Sequence, residues 1–374
     1  MDDHRDRDPK ENLPQDGRDG KGINKISPQT VQTLALVFLA LIGLGALLHL
    51  TKSFMIPFVI AVFLSYLLIP LAAYLEKLRI PALVAKIIVI FGVLIILVGL
   101  VILIYGALSS VAAEMPKYMQ KYANLLDKGA AFIQRHMDYD ISQHYRNIRI
   151  EQLLAIISPG SVMSTINRSI TTLIAAMSRL TLMMLFLMFI VFSRKVFINK
   201  VFEFFHANAD EPDETVNLIT NITEQIQTYL VLKALISIGT GFAFGLVGFL
   251  FGLDFSLIWG FLGFVFNFIP TLGPIMASIP AIFLAFLQFD NMWYAFAVAF
   301  SMSAVQFVSG NFVEPLIMGD YLNLNIIAIL LSLLLIGLIW GIPGMILAVP
   351  ITAAINIICR NVESLRGISI LLSK

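Results

Sequence analysis

Charge and cysteine are both scarce in this sequence. Charged residues make up 13% of the 374 residues, and the formal net charge is +1. Proteins that bind nucleic acid are usually strongly basic, so this charge argues against a nucleic-acid partner. The single cysteine, Cys359, cannot form a disulfide within the chain and excludes a site built from several cysteine ligands.

Enzyme motifs are missing as well. None of the five histidines has a partner at the spacing of a zinc site such as H-E-x-x-H. The sequence contains no Walker loop, no Gly-x-Ser-x-Gly motif and no dinucleotide fingerprint. We therefore expect no enzymatic activity, no cofactor, no bound metal and no direct use of ATP by this chain.

Apolar residues dominate the composition. They make up 58% of the sequence, and the mean hydropathy is +0.87. Several nearly uncharged runs are 18 residues or longer, which is the length that a transmembrane helix needs. The sequence predicts an all-α polytopic membrane protein in the lipid bilayer, with about seven or eight transmembrane helices, a broken or re-entrant helix pair and a small extramembrane helical subdomain.

The apolar runs divide the chain into five segments. Basic residues near the span ends favour a topology with both termini in the cytoplasm. The connector after the third span has mixed charge and apolar residues at helical spacing, so we expect it to pack against its own spans. The segments are a disordered polar tail (1–27), transmembrane helices 1–3 (28–108), the extramembrane amphipathic subdomain (109–172), a transmembrane core with helix breaks at 267–280 and 311–319 (173–360), and a cytoplasmic tail (361–374).

The first break lies in a stretch that is almost wholly apolar. Proline lacks the backbone N–H that a helix interior needs, and an unpaired backbone group is unfavourable in apolar surroundings. Such breaks occur in membranes only inside protein or beside a watery cavity, and transporters place substrate sites there. Asn267 precedes the break and is predicted either to cap it or to bind a cation or polar group. The residues predicted to break this helix are Pro270, Gly273, Pro274 and Pro280.

A second polar group follows in the next span. Gln306, Asn311 and Glu314 are spaced so that they lie near one helix face, before the predicted breakers Pro315 and Gly319. A carboxylate at membrane depth is a candidate site for a cation or proton. Alternatively, Glu314 ends a helix at the membrane surface. Lys233, one turn into an earlier span, is predicted to snorkel to the cytoplasmic surface.

Three motifs carry a family resemblance. Asn267–Pro274 is similar to the Asn-x-Ile-Pro-x-x-Gly-Pro signature of the autoinducer-2 exporter family, the PerM-type permeases. Glu314–Gly319 resembles that family's Pro-x-x-Met/Val-Gly element, and the stretch 341–350 resembles its closing motif through Gly341, Gly344 and Pro350. The resemblance implies a secondary transporter, a homo-oligomer, in a bacterial cytoplasmic membrane. Family members are associated with export of autoinducer-2 or with sodium or lithium extrusion against protons.

Three functions remain open at this point. The first is export of a small polar solute, with autoinducer-2 as the candidate, past Asn267, Gln306, Asn311 and Glu314. The second is sodium (or lithium)/proton antiport with Glu314 as the exchanging carboxylate. The third is a membrane scaffold without transport, which the polar, broken core argues against, because a scaffold does not need such unfavourable groups.

Overall fold

Nearly all of the described residues are helical. The computed structural model describes residues 28–137, 159–206, 212–270, 272–289, 291–318 and 324–373. These residues contain no β-strand, and their one isolated bridge joins Leu324 and Ser373. The predicted polar tail, residues 1–27, lies outside the described residues.

The chain divides into two units, Met1–Leu47 and Leu48–Lys374. The first contains most of helix α1, Pro28–Leu50, which is apolar and exposes its large side chains. The second contains the other helices. Its first part has α2 (Lys52–Lys77), α3 (Ala82–Met137), α4 (Pro159–His206) and α5 (Pro212–Leu250).

The rest of the second unit is built from shorter elements. Its order is α6 (Ser256–Phe266), α7 (Leu272–Gln288), α8 (Met292–Val308), a π-helical turn (Ser309–Val313), α9 (Glu314–Met318), α10 (Ile326–Trp340), α11 (Ile342–Asn361), a 3-10 turn (Glu363–Leu365) and α12 (Arg366–Leu372).

Six helical stretches within the described residues are long and apolar enough to cross a membrane. Four further apolar helices are shorter, and α6 and α7 are among them. Many large apolar side chains on these helices are exposed, as expected where lipid rather than water surrounds them. The prediction of an all-α polytopic membrane protein is confirmed. The six stretches are Lys52–Lys77, Ala82–Val111, Ile174–Lys200, Asn217–Leu250, Met292–Met318 and Ile342–Asn361.

The predicted extramembrane subdomain is described in part. Its described residues continue α3 to Met137 and begin α4 at Pro159, while 138–158 lie outside the described residues. The extension of α3 packs on its own core: the Tyr118 hydroxyl donates to the Asp254 carboxylate, and Lys121 Nζ donates to the Gln288 carbonyl at 2.8 Å. Burial, together with this hydrogen bond, raises the pKa of Tyr118.

Glycines bring α5 and α6 into close contact. A Cβ atom added to Gly241 would lie 2.7 Å from the Gly260 carbonyl oxygen, and one added to Gly248 would lie 3.1 Å from Ser256 Cβ. Small residues at such spacing let two helix backbones approach in a membrane. This contact positions α6, and the turn that follows it, against α5.

The last residues of the chain fold back onto the core. The Leu372 carbonyl accepts from the Asn325 N–H at 2.8 Å, and the Ser369 hydroxyl donates to the buried Asn356 side chain at 2.8 Å. The described residues of the segment predicted as a cytoplasmic tail, 361–374, therefore pack against the core. A buried amide on α11 needs a hydrogen-bonding partner, and α12 supplies it.

Candidate functional site

A stripe of buried polar side chains runs along α5. Tyr229, Lys233, Ser237 and Thr240 are separated by four, four and three residues, which places them on one face of the helix. All four are buried. Buried polar groups in an apolar bundle need partners, and these partners identify the elements that surround the site.

Lys233 forms a buried ion pair with Glu314. Its Nζ lies 2.6 Å from Glu314 Oε1, and the two side chains are 2% and 24% exposed. The prediction that Lys233 snorkels to the surface is therefore wrong. The carboxylate of α9 lies within reach, and pairing two charges is more favourable than leaving either one alone in apolar surroundings.

Glu314 lies inside a continuous helical segment rather than at the end of one. Its N–H donates to the Ser309 carbonyl, five residues earlier, across the π-helical turn, and α9 then continues through Pro315 to Met318. The prediction that Pro315 breaks the helix is wrong. Proline at this position would crowd the carbonyl of Asn311, and the wider π turn separates these groups. Gly319 lies outside the described residues.

Asn267 joins the turn after α6 to the polar stripe. Its Nδ2 donates to the Ser237 hydroxyl at 2.9 Å, and both side chains are buried. Its own N–H bonds to the Gly263 carbonyl of α6. The amide side chain therefore links the broken element to α5 and does not cap the break.

The π-helical turn meets the stripe at Thr240. The Thr240 hydroxyl donates to the Ile236 carbonyl, so in its contact with Ser309 it accepts. Gln306 lies one turn before Ser309 and is also buried. Within the described part of the chain, Gln306 Nε2 and the Tyr229 hydroxyl have no hydrogen-bond partner. Each is thus a buried group with a free hydrogen-bonding position.

Asn311 does not share the face of Gln306. It is exposed, and its Nδ2 donates to the Phe307 carbonyl of its own helix at 3.0 Å. Five residues correspond to about one and a half turns of an α-helix, so Asn311 projects away from Gln306. The prediction that Gln306, Asn311 and Glu314 lie near one face is wrong for Asn311.

The break in the first polar stretch is short. Its described residues are 267–270, which include Pro270, and Thr271 lies outside the described residues. Gly273 and Pro274 belong to the first turn of α7. N–H groups in the first turn have no acceptor within the helix, so the missing N–H of Pro274 costs no helical hydrogen bond. Pro280 lies inside α7, so the prediction that it breaks the helix is wrong. The φ angle that proline imposes is helical, and one lost hydrogen bond does not end an otherwise favourable helix.

The closing motif makes a tight connection between α10 and α11. Gly341 has φ +69°, a conformation that favours glycine. A Cβ atom on Gly344 would lie 2.2 Å from the Ile336 carbonyl oxygen. Pro350 is buried inside α11. Gly341 and Gly344 therefore allow α10 and α11 to connect and pack closely.

The site is rich in neutral hydrogen-bonding groups and poor in free charge. No group of three or more His, Cys, Asp or Glu residues that could hold a metal ion occurs among the described residues. The carboxylate of Glu314 is already balanced by Lys233. Such an arrangement can bind hydroxyl or carbonyl groups at the unpaired Gln306 and Tyr229 positions.

Sequence reasoning missed most of the polar stripe. Ser237, Thr240 and Ser309 carry short polar side chains that look unremarkable in an apolar run, and Lys233 was given a surface role. A detectable signal was present: polar residues recur at helical spacing from Tyr229 to Thr240 within a span. The contacts of that face with Asn267, Ser309 and Glu314 required the structure.

Several apolar spans that enclose a polar face are typical of a multi-pass membrane transporter. The chain belongs to the AI-2E transporter family, whose profile matches residues 36–364. It is 28% identical to the AI-2 transport protein TqsA of Escherichia coli over 326 residues, 87% of this chain and 91% of the relative. The chain is 29% identical to a protein of Borreliella burgdorferi over 339 residues, 90% of this chain and 89% of the relative. The name of that relative describes it provisionally as a transport protein.

Proposed function

We propose that this protein exports a small, uncharged, oxygen-rich solute, and that the solute passes along the polar stripe of α5. The observation that carries this proposal is the ion pair of Lys233 and Glu314, which leaves hydroxyl and amide groups as the binding groups of the site. A neutral polar solute can replace these hydrogen bonds without separating charges.

Gln306 is the group best placed to bind such a solute. Its Nε2 is buried without an acceptor, which is unfavourable in the empty site. A carbonyl or hydroxyl oxygen of the solute would provide the acceptor. Autoinducer-2 is the first solute to test, because the E. coli relative is named for its transport.

The test is efflux of autoinducer-2 from loaded proteoliposomes. Replacing Gln306 by Leu removes one hydrogen bond, so we expect efflux to fall about tenfold. Asn311→Leu is the matched control: it removes an exposed amide about one and a half turns further on, and it should leave efflux unchanged. Equal efflux from wild-type, Gln306→Leu and protein-free vesicles would overturn the proposal.

Sodium/proton antiport is the second candidate, and the same ion pair favours it. A cation that binds Glu314 would compete with Lys233 for the carboxylate, so cation binding would be linked to the charge of this pair. The test uses proteoliposomes with an imposed sodium gradient and a pH-sensitive dye inside. Proton movement that disappears in Glu314→Gln supports antiport, and wild-type vesicles without proton movement exclude it.

A further inference from the structure

A cavity of about 180 Å³ lies between α2, α3 and α4, away from the polar stripe of α5. It sits where α2 ends, α3 begins and α4 leaves its apolar stretch, which is one end of three candidate spans. Most of its lining is apolar. The apolar lining residues are Leu68, Ile69, Ala72, Ala73, Val89, Ile90 and Val191.

Three cations and one carboxylate complete the lining. Lys86 belongs to the second turn of α3, Arg194 and Lys195 to α4, and Glu76 to the last turn of α2. No carboxylate of the described residues lies within salt-bridge distance of the three cations. Lys86 Nζ lies 6.0 Å from the centre of the Phe192 ring, so it faces α4 across the opening.

We propose that this cavity binds an anionic phospholipid, with its phosphate at Lys86, Arg194 and Lys195 and an acyl chain along the apolar lining. Basic pockets between transmembrane helices bind acidic headgroups, and each cation near the surface contributes to that attraction. The cavity combines a cationic rim with an apolar floor. Both parts match one amphiphilic molecule.

Charge complementarity selects this occupant over the alternatives. A zwitterionic lipid brings its own cation to a rim that already has an excess of positive charge. A soluble anion such as inorganic phosphate would satisfy the rim and leave the apolar floor uncovered. An anionic lipid satisfies both, because its chain shields the floor while its phosphate bonds to the guanidinium of Arg194.

The site is independent of the proposed export function. None of its residues touches Gln306, Lys233 or Glu314 in the contacts described above. The test therefore measures lipid binding to the purified protein and requires no transport assay. Failure of lipid binding would leave the export proposal standing, and failure of export would leave this site standing.

The experiment is native mass spectrometry of the full-length protein in a neutral detergent. Dioleoyl phosphatidylglycerol and dioleoyl phosphatidylcholine, which share their acyl chains, are titrated at low salt. We expect preferential binding of phosphatidylglycerol that weakens as salt is raised. Removing two cations in the double variant Lys86→Gln/Arg194→Gln should weaken phosphatidylglycerol binding about thirtyfold.

Two further variants provide a control outside the cavity and a change with the opposite expected effect. Lys200→Gln removes a cation that lies on α4, like Arg194, but outside the cavity. It should leave the preference for phosphatidylglycerol over phosphatidylcholine unchanged. Glu76→Gln removes the carboxylate, and it should strengthen phosphatidylglycerol binding even if the double variant does not fold. Equal binding of the two lipids, an equal loss in Lys200→Gln, or no gain in Glu76→Gln would overturn the proposal.

Discussion

Lys233 Nζ and Glu314 Oε1 lie 2.6 Å apart, although 81 residues separate them in the chain. The lysine is almost fully buried, and the carboxylate keeps about a quarter of its side-chain surface exposed. The buried lysine charge therefore depends more on its partner than the partly exposed carboxylate does. This asymmetry leads to the first prediction.

Removing the carboxylate should destabilise the protein more than removing the lysine. In Glu314→Gln the buried Lys233 charge is left without a partner, which costs about 3–5 kcal/mol of the free energy of unfolding. In Lys233→Met the remaining carboxylate is partly exposed, so we expect a smaller loss. Unfolding in detergent, followed by intrinsic fluorescence, measures both changes.

The double variant Lys233→Met/Glu314→Leu provides the control. It replaces both charges by apolar groups, and such replacements are often neutral or stabilising. We expect its stability to exceed that of Glu314→Gln. A double variant less stable than either single variant would show that the pair contributes net stability in this environment.

The hydrogen bond between Ser237 and Asn267 should be measurable by a double-mutant cycle. Ser237→Ala leaves a buried amide N–H without an acceptor, which costs about 1–3 kcal/mol. Once Asn267 has been changed to Ala, the same serine change should cost less, because no buried donor is left. Strictly additive losses in thermal unfolding would contradict a direct bond.

Glycine at position 273 is required by close packing. A Cβ atom there would lie 1.9 Å from the Phe266 carbonyl oxygen, and backbone cannot move aside as a flexible side chain can. We expect Gly273→Ala to lower the free energy of unfolding by at least about 1–3 kcal/mol.

Gly310→Ala is the matched control for Gly273→Ala. Apart from its chain neighbours and the nearby backbone of its own helix, no atom lies within 4 Å of a Cβ atom at position 310, so alanine fits there without a clash. Alanine also favours helical backbone, and the change should be neutral or slightly stabilising. Equal destabilisation of the two variants would contradict the close approach at Gly273.

The hydrogen bond from Tyr118 to Asp254 should persist at alkaline pH. Burial and this bond raise the pKa of Tyr118, so its contribution to stability is present below the ordinary tyrosine value of about 10 and is lost only as pH rises through the higher folded value. Tyr118→Phe should cost about 1 kcal/mol at pH 6 and at pH 9 alike.

Tyr74→Phe serves as the control for Tyr118→Phe, because Tyr74 is exposed on α2. The stability of Tyr74→Phe should equal that of the wild type at both pH values. If the loss in Tyr118→Phe disappeared between pH 6 and pH 9, the tyrosine would ionise within that range, and the raised pKa would be contradicted.

The spans and the first helix break could be predicted because they depend on local sequence. A run of apolar residues determines its own helix in a membrane, and Pro270 lies in the break, where it cannot donate a backbone hydrogen bond. Pro280 and Pro315 carry the same local signal without ending a helix. Whether proline ends a helix depends on how the surrounding turn adjusts, and the π-helical turn before Pro315 is not visible in the sequence.

The partners within the site could not be predicted for a different reason. Sequence reasoning identified Glu314 and Lys233 separately, and treated each as a group that must find water or a ligand. Their pairing depends on α5 and α9 being neighbours, which hydropathy alone does not determine. The same holds for Asn267 and Ser237, because a helix break says nothing about the helix against which it packs.

The π-helical turn from Ser309 to Val313 sets the length of its segment. Such a turn accommodates one residue more than an α-helix would in the same distance. Deleting one residue there would restore regular α-helical geometry and bring the Asn311 carbonyl back against the ring of Pro315. The resulting strain would lie directly beside Glu314, the partner of Lys233. The number of residues between Gln306 and Glu314 is therefore under structural constraint, and homologues that keep this ion pair should tolerate substitutions in the segment but no insertions or deletions.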